Sequence, residues 1–449
     1  MAHHARVALL LVCLILTLPL LASPTRNNDD SCDIALLPAA TLLLPYFEVN
    51  LENPSGPTTL FTVTNASAQE QIAHVTLWTD YGYPVIDFNI YLTGYDVQSI
   101  DLFDVIVRGV IAPDLGTGTD ISAQGDYSSS NEKLDLSNCD ELPGVIPAVY
   151  VSRMKKAFTL GRVDAFGTLP ACTNVGGTHT NAVGYATIDV VRLCTVRTPA
   201  DAGYLTEDIL WDNVLLGDYQ QVDRSQNLSE GDTMVHIRAI SEGGTAAERR
   251  NNPNQYEVTF HRTFYSRFLP SSNKTFDARQ PLPALFAGRW IDGGGAEFRT
   301  KFKIWREGRT TLNAPCGTYI QNIAGFIDAV VFDEEENPEG MAPTDVICTP
   351  IITYPVLPAT SMTDVRDTTV FPRPTTGAVA GWVYFNLDNC WRDDYASQNW
   401  VVTSMRALGR ASVDMTAFAL GNGCTPPLEQ SEVNWTAGIV IGPAENINP

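Results

Sequence analysis

Few residues in this chain have the type and spacing that covalent chemistry requires. Beyond residue 22 the histidines are His74, His179, His236 and His261, and neither an HExxH zinc helix nor a GxSxG nucleophile turn occurs. A hydrolase triad would have to be assembled across the fold from these four imidazoles. Ser130-Asn131-Glu132-Lys133 has SxxK spacing. Activating such a serine needs a helix that carries the lysine back over it, and the surrounding Gly, Ser, Asp and Thr predict a solvated loop instead. His236 and His261 form a different kind of pair. If a hairpin folds about residue 248 they face each other across two strands, at the ~5 Å Cβ spacing of cross-strand neighbours. That suits a metal or a pH-sensitive contact, but no third ligand is placed by spacing. The plainer expectation is two solvent-facing histidines on a sheet.

The acids and aromatics suggest binding. Asp333-Glu334-Glu335-Glu336-Asn337-Pro338-Glu339-Gly340 is the densest acidic turn. Calcium takes clustered carboxylate and carbonyl oxygens, so Asp333, Glu335, Glu336 and Glu339 are the candidate metal ligands, without the EF-hand order. Against this stands a merely solvated hairpin tip. No other cofactor is expected. Two aromatic tips, Asp80-Tyr81-Gly82-Tyr83 and Cys390-Trp391-Arg392-Asp393-Asp394-Tyr395, place rings beside carboxylates. Such rings stack on sugar faces while the acids bond hydroxyls, which makes Trp391, Asp393, Asp394 and Tyr395 the candidate ligand-binding residues. Equally, such rings plug a sheet edge. Paired carboxylates for glycoside hydrolysis have 51 acids to draw on, but no spacing nominates two.

Those residues sit in a chain of 449 with 29 Lys and Arg against 51 Asp and Glu, a net charge of −22. Nucleic acid and anionic membrane surfaces both demand basic patches, so neither is an expected partner. Arg6 followed by the apolar run Leu9 to Leu21 and by Ala22 reads as a secretory signal over residues 1–22. No later stretch is apolar enough for a transmembrane anchor. The expected location is secreted, periplasmic or at the cell surface. Cys13 leaves with the signal, and Cys32, Cys139, Cys172, Cys194, Cys316, Cys348, Cys390 and Cys424 remain. An even count in an exported chain predicts four disulfides. No pair has CxxC spacing, and the connectivity stays open.

The elements that must position these groups are strands. Thr58 to Asn65, His74 to Thr79 and Val85 to Leu92 alternate β-branched or aromatic residues with polar ones and break at Asn-Ala-Ser, Asp-Tyr-Gly-Tyr-Pro and Thr-Gly-Tyr-Asp. That rhythm predicts an antiparallel sandwich or barrel. Only Ser152 to Leu160 and parts of Thr206 to Leu216 read as short helices, and Ala112 to Asn138 reads as a long loop insertion. The second half also echoes the first. Phe61 corresponds to Phe302, Trp78-Thr79-Asp80 to Val331-Phe332-Asp333, and Gly184-Tyr185 running toward Cys194 to Gly381-Trp382 running toward Cys390. If this is a duplication, Phe61 and Phe302 point inward on equivalent strands. Asp80 and Asp333 open equivalent turns, and Thr62 and Lys303 face outward and tolerate replacement.

The strings Cys32-Asp33-Ile34-Ala35, Leu42-Leu43-Leu44-Pro45-Tyr46-Phe47-Glu48-Val49, Val75-Thr76-Leu77-Trp78-Thr79-Asp80, Phe88 to Gln98, Asp212 to Tyr219 and Val235-His236-Ile237-Arg238 resemble an uncharacterised family of exported bacterial β-rich proteins. The resemblance implies no activity and carries over no catalytic residue. The expected fold is all-β, with two immunoglobulin-like or jelly-roll-like antiparallel sandwiches. The signal occupies 1–22. A first sandwich occupies 23–233 with an insertion at about 112–147, a hairpin-bearing segment 234–280, and a second sandwich 281–449. The expected function is a non-catalytic surface or matrix protein whose sandwich loops bind a polysaccharide or another surface protein. The rival is a secreted carbohydrate-active enzyme using paired carboxylates.

Overall fold

A computed structural model describes residues 34–111, 146–165, 170–199, 203–239, 279–294, 297–306, 328–340, 377–387 and 398–409. It also describes shorter pieces at 123–124, 127–129, 201, 277, 309–311, 318–320, 360–364, 411–414 and 417–420. The chain is all-β and is built of antiparallel sheets in sandwich-like arrangements. In the first half the principal strands are β1 (Thr41–Val49), β2 (Pro57–Asn65), β3 (Gln71–Thr79), β4 (Pro84–Leu92), β5 (Val97–Asp101), β6 (Ala182–Val191), β7 (Leu215–Asp223), β8 (Leu228–Thr233) and β9 (Val235–Ile237). In the second half they are β10 (Leu285–Gly293), β11 (Phe298–Arg306), β12 (Asp328–Asp333), β13 (Pro338–Gly340), β14 (Thr360–Asp364), β15 (Ala380–Asn386), β16 (Asn399–Arg406), β17 (Ala411–Asp414) and β18 (Phe418–Ala419).

The two halves share one plan. In the first, one sheet runs β9-β1-β6-β3-β4 and the other β8-β7-β2-β5. In the second, β18-β10-β15-β12-β13 repeats the first order and β16-β11-β14 repeats the β7-β2-β5 part of the other, with no counterpart of β8 among the described residues, and β10 also pairs with β11 at Asp292–Arg299, which joins the two sets. The register agrees as well. Phe61 lies between Tyr219 and Ile100, and Phe302 between Thr403 and Thr363. Phe47 faces Gly184 on β6 as Trp290 faces Gly381 on β15. Both glycines are needed for close approach, since a Cβ would come within 2.2 Å of the Trp78 carbonyl oxygen at Gly184 and 1.9 Å of the Phe332 carbonyl oxygen at Gly381. Cross-strand rings stack at the same place, Trp78 on Tyr185 at 5.9 Å and Phe332 on Trp382 at 4.1 Å between centroids.

The turn equivalence is shifted by one residue from the sequence expectation. Thr79 N–H donates to Tyr83 O and Gly82 N–H to Thr79 O, while Asp333 N–H donates to Asn337 O and Glu336 N–H to Asp333 O. The Thr79 hydroxyl accepts the amides of Tyr81 and Tyr83, and one Asp333 oxygen accepts those of Glu335 and Asn337. Asp333 therefore takes the place of Thr79, not of Asp80, whose counterpart is Glu334. A hydroxyl and a carboxylate do the same work here, organising a turn by accepting backbone amides.

Alternation buries one face of each strand first. Phe61, Val63, Val75, Leu77, Phe88 and Ile188 fill the first core, and Phe286, Phe302, Ile304, Val331, Val383 and Phe385 the second. A helix, α1 (Ala148–Leu160), covers Ser152 to Leu160 as expected. It ends at Gly161 in the left-handed region and puts Met154, Ala157 and Phe158 into the first core. Thr206 to Leu216 holds only part of one wide turn, Tyr204–Asp208, before β7 begins at Leu215. Within the insertion, residues 123–124 and 127–129 pair with β4. The first sandwich extends past residue 233, because β9 pairs with β1. It also accepts β17 of the second half as a parallel strand beside β8.

The outer face of the β1-β6-β3 sheet is buried too. Leu43, Trp78 and Tyr185 pack there against Tyr204, Trp211, Leu282 and Trp305. The last of these comes from β11, whose reverse face docks onto the first sandwich. Lys303 lies on that face and is 3% exposed, so the expectation of an outward, tolerant lysine is corrected. Period-2 alternation places Lys303 away from its own core, but a second half-molecule covers that side.

The turn comparison is testable. Glu336 has φ +64 where the first copy has Gly82 at φ +79. Glu336→Gly is expected to stabilise the protein by ~1 kcal/mol, and Gly82→Glu to destabilise it, in chemical denaturation. A destabilising Glu336→Gly, or a neutral Gly82→Glu, would contradict the equivalence of the two turns.

Candidate functional site

At one end of the first sandwich the loops lock in pairs. The turn at 80–83 meets the segment 174–181, which enters β6. The Thr79 hydroxyl donates to Val175 O, and Asp80, only 1% exposed, accepts the Gly177 amide at 2.9 Å on one oxygen. Its other oxygen stands 2.7 Å from His179 Nε2. His179 is itself tied by its backbone amide to Thr159 O. Loops 50–56 and 224–227 are joined by Ser225 N–H to Ser55 O at 2.7 Å. Tyr81 is half-buried, and burial with the neighbouring Asp80 charge pushes its hydroxyl above the ordinary tyrosine value. The Asp80–His179 pair has the orienting half of a catalytic triad. Among the described residues no serine, threonine or cysteine side chain hydrogen-bonds His179. The pair therefore fixes a loop end and presents a partly exposed imidazole beside a tyrosine.

A second polar group lies where the sandwiches meet. Glu48 accepts the Tyr46 hydroxyl at 3.0 Å and the Asn181 amide at 2.5 Å. Burial works against its charge, but Lys303, Asn181 and Tyr46 outweigh that and hold Glu48 below the usual carboxylate range. Lys303 Nζ donates to Gln221 Oε1 at 2.6 Å, stands 3.9 Å from Glu230 Oε2 and sits 4.2 Å from the centre of the Tyr46 ring. Burial, offset in part by Glu230 and Glu48, lowers the Lys303 ammonium to about 8. Glu230 accepts the Ser404 hydroxyl on both oxygens and the Met405 amide at 2.8 Å.

A third group is structural. Arg279, fully buried, donates to Thr41 Oγ1 at 2.7 Å, Asp189 Oδ1 at 2.8 Å and Asp277 Oδ1 at 2.8 Å, while the Tyr204 hydroxyl donates to the other Asp189 oxygen at 2.5 Å. The group pins Asp277, Arg279 and the 204–211 segment to the outer face of β1 and β6. Removing one partner from such a buried set typically costs ~3–5 kcal/mol.

The candidates singled out in the sequence fare differently. Asp333 is 4% exposed, and its oxygens are engaged by Glu335 N–H, Asn337 N–H and the Asn337 side-chain amide. Glu334, Glu335 and Glu336 are exposed, and the backbone of Glu339 pairs with Val331. Among the described residues no three His, Cys, Asp or Glu converge as for a metal ion. Trp391, Asp393, Asp394 and Tyr395 lie outside the described residues, as do Ser130 to Lys133 and His261. His236 is buried at 3%, not solvent-facing, with Nε2 at 3.3 Å from the backbone of Gly217. Cys172 and Cys194 are each engaged in a disulfide, and Cys32, Cys139, Cys316, Cys348, Cys390 and Cys424 lie outside the described residues. Among the described residues no helix is long and apolar enough to cross a membrane.

The sequence reading missed His179 as the partner of Asp80, and it missed the Lys303–Gln221–Glu230 group altogether. The available signal was weak: Asp80 and His179 both flank strand ends that pair, Thr79 with Gly184. No protein-family model, curated protein or solved structure matches the chain.

Two buried imidazoles give a pH prediction. Burial lowers His74, offset in part by the Asn89 side chain and by Asp189 and Asp208, and burial likewise lowers His236 against its Gly217 contact. Below the ordinary value of 6.5 the unfolded chain takes up protons that the folded chain refuses. Stability should therefore fall as pH drops from 6.5 toward about 5, before most carboxylates titrate. Denaturation midpoints across that window should show the slope in the wild type and a shallower one in His74→Gln. A flat wild-type profile would contradict neutral burial of these groups.

Proposed function

We propose that this is an exported, non-catalytic surface or matrix protein that binds a polysaccharide or another surface protein through the loop end of its first sandwich. The observation that carries the reading is the clamp of Asp80 on His179 and Gly177. It supports a preorganised surface with Tyr81 and His179 partly exposed, beside exposed Asn53, Ser55, Thr178 and Thr180. A fixed aromatic face with adjacent hydroxyls and amides suits a sugar ring or a polar protein strand, and little side-chain freedom is lost on binding. The tip at Trp391 to Tyr395 is the second candidate contact of the same kind, and calcium at the acidic turn is the one ion the reading allows.

Binding to a panel of bacterial polysaccharides and surface-protein extracts tests this. Tyr81→Ala is expected to weaken the captured ligand about tenfold with an unchanged melting temperature. Undiminished binding by that variant removes the loop end from the reading. Release of new reducing ends from any polysaccharide favours the carbohydrate-active enzyme instead.

Export also implies an oxidised chain, with Cys172 and Cys194 joined by the other six cysteines in four disulfides. Thiol labelling of the denatured, unreduced exported protein should find no free cysteine. Two or more labelled cysteines would contradict it. Loss of one bridge should cost ~2–5 kcal/mol.

A further inference from the structure

Lys303, Gln221 and Glu230 are more than a buried salt bridge. Among the described residues the nearest carboxylate oxygen is 3.9 Å from Nζ, whereas the side-chain amide oxygen of Gln221 is at 2.6 Å. Glu230 and Glu48 offset the burial of a charged lysine here only in part, so its ammonium is weakened. An uncharged lysine in the same place is an amine nucleophile held against a carboxamide. We infer that Lys303 and Gln221 join in an intramolecular amide crosslink between the two sandwiches, with Glu230 as the proton-transfer group.

Three properties of the site support the chemistry. The first is position. Gln221 on β7 and Glu230 on β8 are cross-strand partners and Lys303 reaches them from β11, so all three groups are held on strands without loop freedom. Such placement replaces a bimolecular encounter by an intramolecular one. The second is dryness. Lys303 is 3% exposed, Glu230 3% and Gln221 9%, and the Tyr46 ring closes one side at 4.2 Å. Water cannot easily compete for the acyl carbon. The third is protonation. With its ammonium lowered to about 8, Lys303 is a free amine in about a tenth of molecules at neutral pH and in about half in mildly alkaline solution.

The reaction balances without oxidant or cofactor. The Nζ lone pair attacks Gln221 Cδ and forms the new C–N bond. Glu230 relays a proton from Nζ to Nε2 of the tetrahedral intermediate. The Cδ–Nε2 bond then breaks, and Nε2 leaves as ammonia. The hydrogen bond from Gln221 Nε2 to Tyr46 O, at 3.4 Å, orients the departing nitrogen, and the Ser404 hydroxyl and Met405 amide fix the carboxyl group. The crosslink would tie the two halves covalently, whatever the loops bind.

Mass spectrometry of the purified, reduced and denatured full chain is the test. The wild type is expected to be lighter by one ammonia than the chain of Lys303→Arg, after allowing for the substitution. Proteolysis should yield one branched peptide joining the segment with Gln221 to the segment with Lys303. Glu230→Gln, which keeps a polar group for Ser404, should fold with both segments unlinked. A wild type at full mass overturns the inference, as does an ammonia deficit that maps to other residues. Undiminished linkage in Glu230→Gln overturns the role of Glu230.

Discussion

The structure depends on one strand being covered from both sides. β11 gives Phe302 and Ile304 to the core of its own sandwich and turns Lys303 and Trp305 into the first. Trp305 meets Tyr185 edge-on at 5.8 Å, and Tyr185 stacks on Trp78. Because successive residues of a strand face opposite ways, neither set can move without moving the other. The two sandwiches are consequently held as one body. The addition of β17 to the edge of β8 closes the joint with backbone hydrogen bonds.

That constraint explains where the charged groups went. A chain with 51 acids needs few of them inside. Those inside are organisers. Asp80 clamps two loops, Asp189 and Asp277 hold Arg279, and Glu230 anchors β16 through Ser404 and Met405. Each is hydrogen-bonded where it is buried, as the cost of an unpaired buried charge demands. The surface-binding reading we propose draws on the same distribution. The loop end that Asp80 clamps leaves Tyr81 and His179 partly exposed, whereas Lys303, Gln221 and Glu230 are sealed between the halves.

Much of the fold was legible from alternation alone. β2 and β4, the helix at Ser152 to Leu160, and the repeated glycine-aromatic strands at Gly184 and Gly381 follow from period-2 or helical patterning. The turn offset was not legible, because aligning acid with acid hides the fact that Thr79 and Asp333 accept the same amides. Lys303 was misread for a related reason. A lysine alternating with Phe302 and Ile304 looks like a solvent position until a second layer is known to cover it. Asp80 and His179 are 99 residues apart, and only the pairing of β3 with β6 brings them together.

Hydrogen exchange on the full chain tests the shared joint most directly. If β11 is clamped between both sandwiches, the amides of residues 298–306 should exchange as slowly as those of β2 and β7. They should open with them in a single cooperative step. Exchange of β11 well ahead of β2 and β7, in an opening confined to the second half, would contradict the account.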